Sequence, residues 1–304
     1  MRRGPPEALA DVSTRRHLLL SIAVLAVLAV MVATAPEPVS AQRARPDTSA
    51  PAGPTPRRAD GKPDLTGRWD GGGGVLYNTV ILEEHPGGFG VQAGGTLIID
   101  PKDGIIPYQS WALAERNRRR EDANGYEDQV GHCEFYDIAR VVSFPMEIMH
   151  SGNAVILHQN QHSTRVVDTT RREHLPSGIR LWLGDSIGRW EGDTLVIDIT
   201  NFAGKTRMAL GGDFYSADAH IVEKYAMKDS NTIDWTMTFD DPKVFTRPWT
   251  MTSHEPMKRV RAGENYDGED TCHEGNVDLV HMKNVYEQAH PDGRPVIRTG
   301  PESR

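Results

Sequence analysis

Histidines that stand close to carboxylates are the residues of this chain best suited to chemistry. His220 and Glu223 lie three residues apart in AHIVEKY, His273 and Glu274 are adjacent in CHEGN, and Asp198 ends the run TLVID. A histidine changes its charge near neutral pH, and a neighbouring carboxylate orients its ring. These residues are therefore typical of acid–base catalysis that needs no organic cofactor.

His162 and Arg165 form a further polar pair, in HQNQHSTRVV. On a β-strand, residues three apart point to opposite faces unless a bulge intervenes, and the same holds for His220 and Glu223. Each of these side chains has an alternative role as a solvated or hydrogen-bonded group at the strand surface. The candidates for a catalytic site are His162, Arg165, Asp198, His220, Glu223, His273 and Glu274.

Motifs for metals and cofactors are weak in this sequence. His158 and His162 have the HxxxH spacing that binds zinc on a helix, but their surroundings alternate as in a strand. Two strand residues four apart lie about 13 Å from each other, too far for one ion. A zinc site built from His220, His254 and His273 is the remaining alternative. Because the sequence also lacks a GxSxG elbow, a P-loop and a GxGxxG turn, we predict neither a metal nor a cofactor.

Two classes of function fit these residues. The first is an exported enzyme of lyase, hydratase or hydrolase type that acts on an apolar or aromatic small molecule by His/Glu acid–base chemistry. The second is a non-catalytic periplasmic protein that binds a hydrophobic ligand in the same cavity. A structural domain of the cell envelope is a third alternative. The repeated pairs of histidine and acid favour the enzyme, because a carrier of apolar ligands needs fewer such groups.

The elements that must position these residues are mostly β-strands. From residue 64 onward, apolar and polar residues alternate between Gly, Asp and Asn, a pattern typical of antiparallel sheets. Eight such strands suffice for a barrel or a sandwich, and we predict a mainly β fold built as an antiparallel barrel. The predicted strands are Val75–Leu82, Gly95–Asp100, Ala154–Val167, Ile179–Leu183, Thr194–Phe202, Ala219–Met227, Thr232–Phe239 and Trp249–Met257. The clearest hairpin turns at Lys228–Asn231.

The motif GRWEGDTLVID at Gly188–Asp198 has a shorter copy, GRWDG, at Gly67–Gly71. Glu191–Asp193 has the Gly and acid composition of a tight turn, so one strand ends at Trp190 and the next begins just after the turn. A Trp at this place is predicted to close the end of a barrel and to bond its indole N–H to one acceptor. The acids of the turn then stay solvated, and only Asp198 remains a candidate for the cavity.

Two short helices are predicted among the strands. The segment Pro107–Asp122 places Trp111 and Leu113 among strong helix formers and ends in a run of arginines. It predicts a packing or lid helix with a solvated arginine cluster at its end. A second short helix is predicted over Val277–Gln288.

The chain of 304 residues divides into four segments. An arginine pair, a long apolar run and a small-residue cleavage site predict an export signal over residues 1–41, of the twin-arginine or Sec type, with an uncleaved membrane anchor as the alternative. Residues 42–63, rich in Pro and Arg, are predicted to be a disordered spacer. The β-barrel domain covers residues 64–290, and residues 291–304 form a flexible tail. We expect the protein in the periplasm or outside the cell.

The charge of the chain limits its partners. The formal net charge is −8, to which residues 64–304 contribute −12 and the preceding residues +4. An acidic domain argues against nucleic-acid binding, which needs a basic surface. The expected partner is a hydrophobic or aromatic small molecule, and a membrane is contacted only through an uncleaved signal.

The chain contains two cysteines, Cys133 and Cys272. In an oxidising compartment an even pair favours a disulfide, which here closes a loop of about 140 residues. The alternative is a metal or nucleophile site at Cys272 and His273.

Four motifs in order give the sequence a family resemblance: GDSIGRWEGDTLVIDITNF, AHIVEKY, DDPKVFTRPWT and CHEGN. From the DLTGRW strand to CHEGN, the chain resembles a large family of exported bacterial proteins. The resemblance implies a calycin-like or lipocalin-like barrel, through the GxW strand, and it implies no particular reaction. The chain departs from the family's CxPxGxPR segment, which CEFYDIAR replaces at Cys133–Arg140, so the resemblance implies nothing about that turn.

Overall fold

The structure, a computed structural model, describes residues 52–71, 81–86, 93–121, 126–141, 144–159, 163–205, 207–260 and 278–292. Its strands are β1 (Gly67–Asp70), β2 (Ile98–Asp100), β3 (Met146–Ser151), β4 (Ala154–Gln159), β5 (Ser163–Asp168), β6 (Asp185–Glu191), β7 (Thr194–Thr200), β8 (His220–Asp229), β9 (Thr232–Asp240), β10 (Trp249–Thr252) and β11 (Met257–Arg259). The described α-helices are α1 (Ser110–Arg120) and α2 (Asp278–Ala289), and Gln129–His132 forms a 3-10 turn.

Nine of these strands close into a barrel, in the order β1-β3-β4-β5-β6-β7-β8-β9-β11 and back to β1. Closure depends on β9, because its first residues, Thr232 and Ile233, pair with β11 while its later part pairs with β10. β10 is not one of the nine barrel strands; it pairs with β9, and β2 continues the sheet beyond it. The strands run antiparallel except for β5 and β6, which are parallel where Asp168 lies beside Ile187. The prediction of a mainly β barrel with short helices is confirmed.

The alternating pattern of β8 decides which of its side chains enter the barrel. Ile221, Glu223, Tyr225 and Met227 are buried, whereas the residues between them are partly or fully exposed. Cross-strand partners share a face of the sheet, so the residues of β9 that pair with these four also point inward. The predicted hairpin is confirmed, with its turn at the polar residues between β8 and β9.

Three predicted strands differ from the structure. Ala154–Val167 is two strands, β4 and β5, and Trp249–Met257 is divided between β10 and β11. Ile179–Leu183 is not a strand, since only Leu181 makes a bridge, a parallel one with Phe202. The side chains of Ile179 and Leu181 are 44% and 41% exposed. The alternation there does not mark a buried face, which is why the prediction failed.

The sequence did not predict β3, and of the two strands predicted before it only a part of one is present among the described residues. The sequence of β3, MEIMHS, contains one β-branched residue and no aromatic ring, so its preference for a strand is weak. Of Gly95–Asp100, only the last three residues form a strand. The predicted strand Val75–Leu82 lies outside the described residues except for its last two, which are not in a strand.

The two GRW motifs hold different positions in the barrel. Trp69 is fully buried and donates its indole N–H to the carbonyl of Leu65 at 2.8 Å, while the guanidinium of Arg259 lies 4.2 Å from the centre of its ring. Trp190 is only partly buried against the core. Full burial with an indole hydrogen bond, which was predicted for Trp190, is therefore found at Trp69. The predicted tight turn after Trp190 is confirmed, because it joins β6 directly to β7.

Of the predicted disordered spacer, residues 42–63, the structure describes residues 52–63, which contact the barrel. The backbone N–H of Gly53 donates to the hydroxyl of Ser230 at 2.9 Å, and the N–H of Ser230 donates back to the carbonyl of Gly53 at 3.0 Å. Arg57 makes a bidentate ion pair with Asp193 at 2.7 and 2.8 Å. Hydrogen bonds to two barrel turns hold this segment, which is poor in apolar residues. We call residues 52–63 the N-terminal segment.

Helix α1 buries charge rather than apolar surface. Glu115, Arg116 and Arg119 are each 7% exposed or less. Arg119 donates to Glu115 at 2.9 Å, and its guanidinium lies 4.1 Å from the centre of the Phe214 ring. The prediction of a solvated arginine cluster was wrong, because pairing with a carboxylate and stacking on an aromatic ring offset the cost of burying arginine.

The remaining predictions concern the chain ends and the cysteines. Helix α2 confirms the helix predicted over Val277–Gln288. Among the described residues no helix is both long and apolar enough to span a bilayer. Cys133 follows the 3-10 turn with a left-handed φ of 58°. Because Cys272 and the predicted export signal lie outside the described residues, the disulfide and the signal stay predictions.

Candidate functional site

Arg165 and Glu223 meet inside the barrel. Arg165 lies on β5 and Glu223 on β8, both at inward-facing positions, and their side chains are 3% and 0% exposed. Nη2 of Arg165 lies 2.5 Å from Oε2 of Glu223. An ion pair this deeply buried is costly unless its remaining donors and acceptors are also bonded. The bonding of each partner therefore decides what the pair can do.

Both carboxylate oxygens of Glu223 have donors. Oε1 accepts from the phenol of Tyr225 at 2.6 Å and from the indole N–H of Trp235 at 2.8 Å. Tyr225 follows Glu223 by two residues on the same face of β8, and Trp235 is the cross-strand partner of Tyr225 on β9. Oε2 accepts from Arg165. The hairpin β8–β9 thus builds a fixed counter-ion for the arginine.

Arg165, by contrast, keeps open donors. Its Nε and Nη1 are buried without a hydrogen-bond partner in the described part of the chain, and so are both amide atoms of Gln159 on β4 and the hydroxyl of Ser186 on β6. Gln159 pairs with Ser163, two residues before Arg165, so the two side chains enter the barrel from adjacent strands. We call Gln159, Arg165 and Ser186 the inner polar patch.

The charges of this region are well defined. Burial alone would lower the pKa of Arg165, but the carboxylate of Glu223 outweighs burial and raises that pKa above its ordinary value. Burial and the charge of Glu223 together raise the pKa of Tyr225 well above its ordinary value. At neutral pH Arg165 is therefore a cation whose charge is paired with Glu223, and Tyr225 is a neutral donor; what Arg165 offers to the barrel interior is its two open N–H donors.

A second group of polar residues lies on the outer face of the barrel. Oδ1 of Asp198, on β7, lies 2.9 Å from Nε2 of His174 and 3.0 Å from Nε2 of His220. Nδ1 of His174 lies 2.9 Å from Oδ2 of Asp185. Arg171 holds Asp185 in turn, with contacts of 2.7 and 3.1 Å. We call these five residues the outer histidine cluster.

The outer histidine cluster is charged and open to solvent. The hydrogen bond from His220 lowers the pKa of Asp198 to about 2, and the same hydrogen bond raises the pKa of His220 above its ordinary value. The side chain of His220 is 45% exposed. A histidine oriented by a carboxylate in this way can exchange protons with a molecule in solution, but not with one inside the barrel.

The structure divides the predicted catalytic residues between two places. Arg165 and Glu223 meet inside the barrel, whereas Asp198 and His220 meet on its outer face. Asp198 does not reach the cavity, because it pairs with Val222, an outward-facing residue of β8. The predicted residues that lie outside the described part of the chain are His162, His273 and Glu274.

Several residues of these two places were not predicted. Tyr225 could have been found from its spacing, since it follows Glu223 by two residues on a strand that was predicted. Trp235 requires the register of the hairpin as well. Gln159 gave no signal beyond a polar residue in an apolar run, and His174 lies between β5 and β6, where no pattern links it to Asp198.

Metal binding has limited support in the described residues. Among them, no group of three or more His, Cys, Asp or Glu side chains is arranged to hold a metal ion. The alternative zinc site named from the sequence includes His273, which lies outside the described residues.

Comparisons of the chain with protein-family models, with curated proteins and with solved structures find no match. The resemblance to exported bacterial proteins thus stays an expectation from the motifs, and the function has to be argued from the geometry of the site.

Proposed function

We propose that the barrel binds a small molecule with a carboxylate or a comparable anionic group, and that the inner polar patch holds this group. One observation carries the proposal: Arg165 is buried and charged, yet two of its nitrogens have no hydrogen-bond partner among the described residues. The rest of the ligand is small and apolar or aromatic.

The energetic cost of open donors supports a ligand. A buried polar group without a partner costs about 1–3 kcal/mol, and a charged one costs more. Arg165, Gln159 and Ser186 together leave five polar atoms in this state. A carboxylate oxygen can accept a charge-assisted hydrogen bond from Nε or from Nη1, which lie on opposite sides of the guanidinium, and Nη2 between them is already bonded to Glu223. Binding such a group would remove the largest part of the cost.

The walls of the barrel favour an apolar remainder on this ligand. The inward-facing residues of β7 and β9 include Ile197, Trp235 and Met237, all fully buried. Barrels of this size either are filled by side chains or hold at most one small ligand. A compact molecule with one anionic end therefore fits better than a long-chain lipid.

The bonding of Glu223 favours binding over acid–base catalysis in the interior. Both of its oxygens already accept hydrogen bonds, so it acts as the counter-ion that fixes Arg165. The histidine that shares β8 with it, His220, faces the opposite side of the sheet. His220 and Glu223 therefore do not form one proton-transfer pair, and this separation supports the binding alternative.

The proposal is tested with matched pairs of acids and amides: acetate and acetamide, benzoate and benzamide, 2-naphthoate and 2-naphthamide. The measurement is the Nε–H resonance of Arg165 in NMR titrations of the purified protein, with affinities from calorimetry. We expect at least one acid to move this resonance and to bind about tenfold tighter than its amide, the factor for one charge-assisted hydrogen bond.

The control variant is Arg165→Met/Glu223→Gln, which removes both charges together and keeps an acceptor for Tyr225 and Trp235. In this variant the acid and its amide should bind equally, whereas Arg189→Met, at an exposed ion pair, should keep the preference for the acid. If no acid moves the Arg165 resonance, ordered water satisfies the open donors and the proposal is wrong.

A further inference from the structure

A cavity of about 360 Å³ lies beside the N-terminal segment, at the end of the barrel where β3 turns into β4. Four basic residues and one acidic residue line it, in a chain whose net charge is −8. The charged residues of this basic cavity are Arg58, Asp60, Lys62, Arg172 and Arg189.

Two of the four cations lack a carboxylate partner. Arg58 lies 3.3 Å from Asp60. Arg189 lies 2.8 Å from Glu191 and 4.0 Å from Asp198. In the part of the chain that the structure describes, neither Lys62 nor Arg172 forms an ion pair; Arg172 contacts only two backbone carbonyls, at 3.2 and 3.4 Å. These two cations are therefore available to an anion.

The remaining lining of the basic cavity is shaped for more than a bare ion. Trp190 lines the cavity and is partly buried against the core. Gly152 and Gly188 also line the cavity and fill none of it with side chains. At Gly188 a Cβ atom would lie 2.8 Å from a methyl group of Val167, so a larger residue here would require Val167 to move. An aromatic face next to four cations favours a ligand with an anionic end and a planar or apolar body.

We propose that the basic cavity binds a phosphate or sulfate monoester. Lys62 and Arg172 hold the tetrahedral oxyanion, and the esterified group stacks on Trp190. The oxyanion's charge of up to −2 matches the uncompensated cations, which a single carboxylate would not. This site is separate from the inner polar patch and does not depend on the function proposed for it, because its charged residues come from the N-terminal segment and from the outer ends of strands.

The test uses phenyl phosphate, phenyl sulfate, inorganic phosphate and phenol as probes, with affinities from calorimetry on the wild-type protein. We expect both esters to bind and phenol not to. The ester that the wild-type protein binds more tightly shows whether the oxyanion is a phosphate or a sulfate. The double variant Lys62→Met/Arg172→Met should bind either ester at least about a hundredfold more weakly, since each charge-assisted hydrogen bond is worth about tenfold.

Two controls separate this site from unspecific charge effects. Lys224→Met removes an exposed lysine on the outer face of β8 and should leave ester binding unchanged. Trp190→Leu should abolish the preference for phenyl phosphate over inorganic phosphate without abolishing phosphate binding. The proposal is overturned if neither ester binds, or if Lys224→Met weakens binding as much as the double variant does. Arg165→Met/Glu223→Gln should bind the esters as the wild type does, so the two proposals can fail independently.

Discussion

The buried ion pair makes a quantitative prediction about stability. Arg165→Met leaves Glu223 charged and fully buried, with only the neutral donors of Tyr225 and Trp235. Breaking one side of a buried pair costs about 3–5 kcal/mol in free energy of unfolding. For a domain of this size that lowers Tm by about 6–20 °C. Glu223→Gln keeps the acceptor oxygen but leaves Arg165 without its counter-ion, so we expect a loss of the same order.

The double variant decides whether the charges or the packing cause these losses. Arg165→Met/Glu223→Gln has no uncompensated charge. Its free energy of unfolding should therefore be no lower than that of the less stable single variant. The matched control is Arg189→Met, which breaks an ion pair whose side chains are 51% and 52% exposed and should cost less than about 1 kcal/mol.

Urea unfolding followed by tryptophan fluorescence measures all four variants under one condition. The coupling energy between the two positions should reach several kcal/mol, well above the roughly 0.3–0.5 kcal/mol within which independent sites add. If the losses of the single variants simply add in the double variant, the charges do not compensate each other and the reasoning is refuted. The same holds if Arg165→Met costs no more than Arg189→Met.

Three further predictions concern other parts of the barrel. The pKa of His220 is raised in the folded protein, so protonated His220 stabilises the fold below pH 6.5, the ordinary pKa of histidine. This contribution is lost as pH rises through the folded pKa. In Asp198→Asn, NMR titration should find the pKa of His220 back near 6.5. Trp69→Ala should cost about 3–5 kcal/mol in urea unfolding, and Trp190→Ala much less, because only Trp69 is fully buried. Arg57→Ala should cost at most about 1 kcal/mol by the same assay, since its ion pair is half exposed.

The long strands could be predicted from the sequence, while the short ones could not. β8 and β9 alternate over ten and nine residues, enough for a period of two to be distinguished from a helix. β2 and β11 have three residues each, so no local pattern defines them. They exist because neighbouring strands pair with them. The closure of the barrel depends on such pairs, in particular β11 with β9. The sequence therefore predicted a barrel as the fold class but not which strands close it.

Burial of charged residues was the second limit of the sequence. The arginines at the end of α1 were predicted to be solvated because arginine is rarely buried without partners. The partners of Arg119 come from the same helix, Glu115, and from Phe214 in a distant loop. An intrahelical pair four residues apart can be found in a sequence. The aromatic ring that covers the guanidinium cannot, and burial follows from that ring.

The alternation that predicts a strand also decides which of its candidates can act together. Residues three apart on β8, His220 and Glu223, must face opposite sides, so neither could be the other's partner. Each finds its partner on another strand instead: Glu223 finds Arg165 on β5, and His220 finds Asp198 on β7. Which strands face each other across the barrel depends on the parallel crossover between β5 and β6, and no local sequence pattern reveals this crossover. The two faces therefore carry separate groups of polar residues, and substitutions inside the barrel should not move the titration of His220.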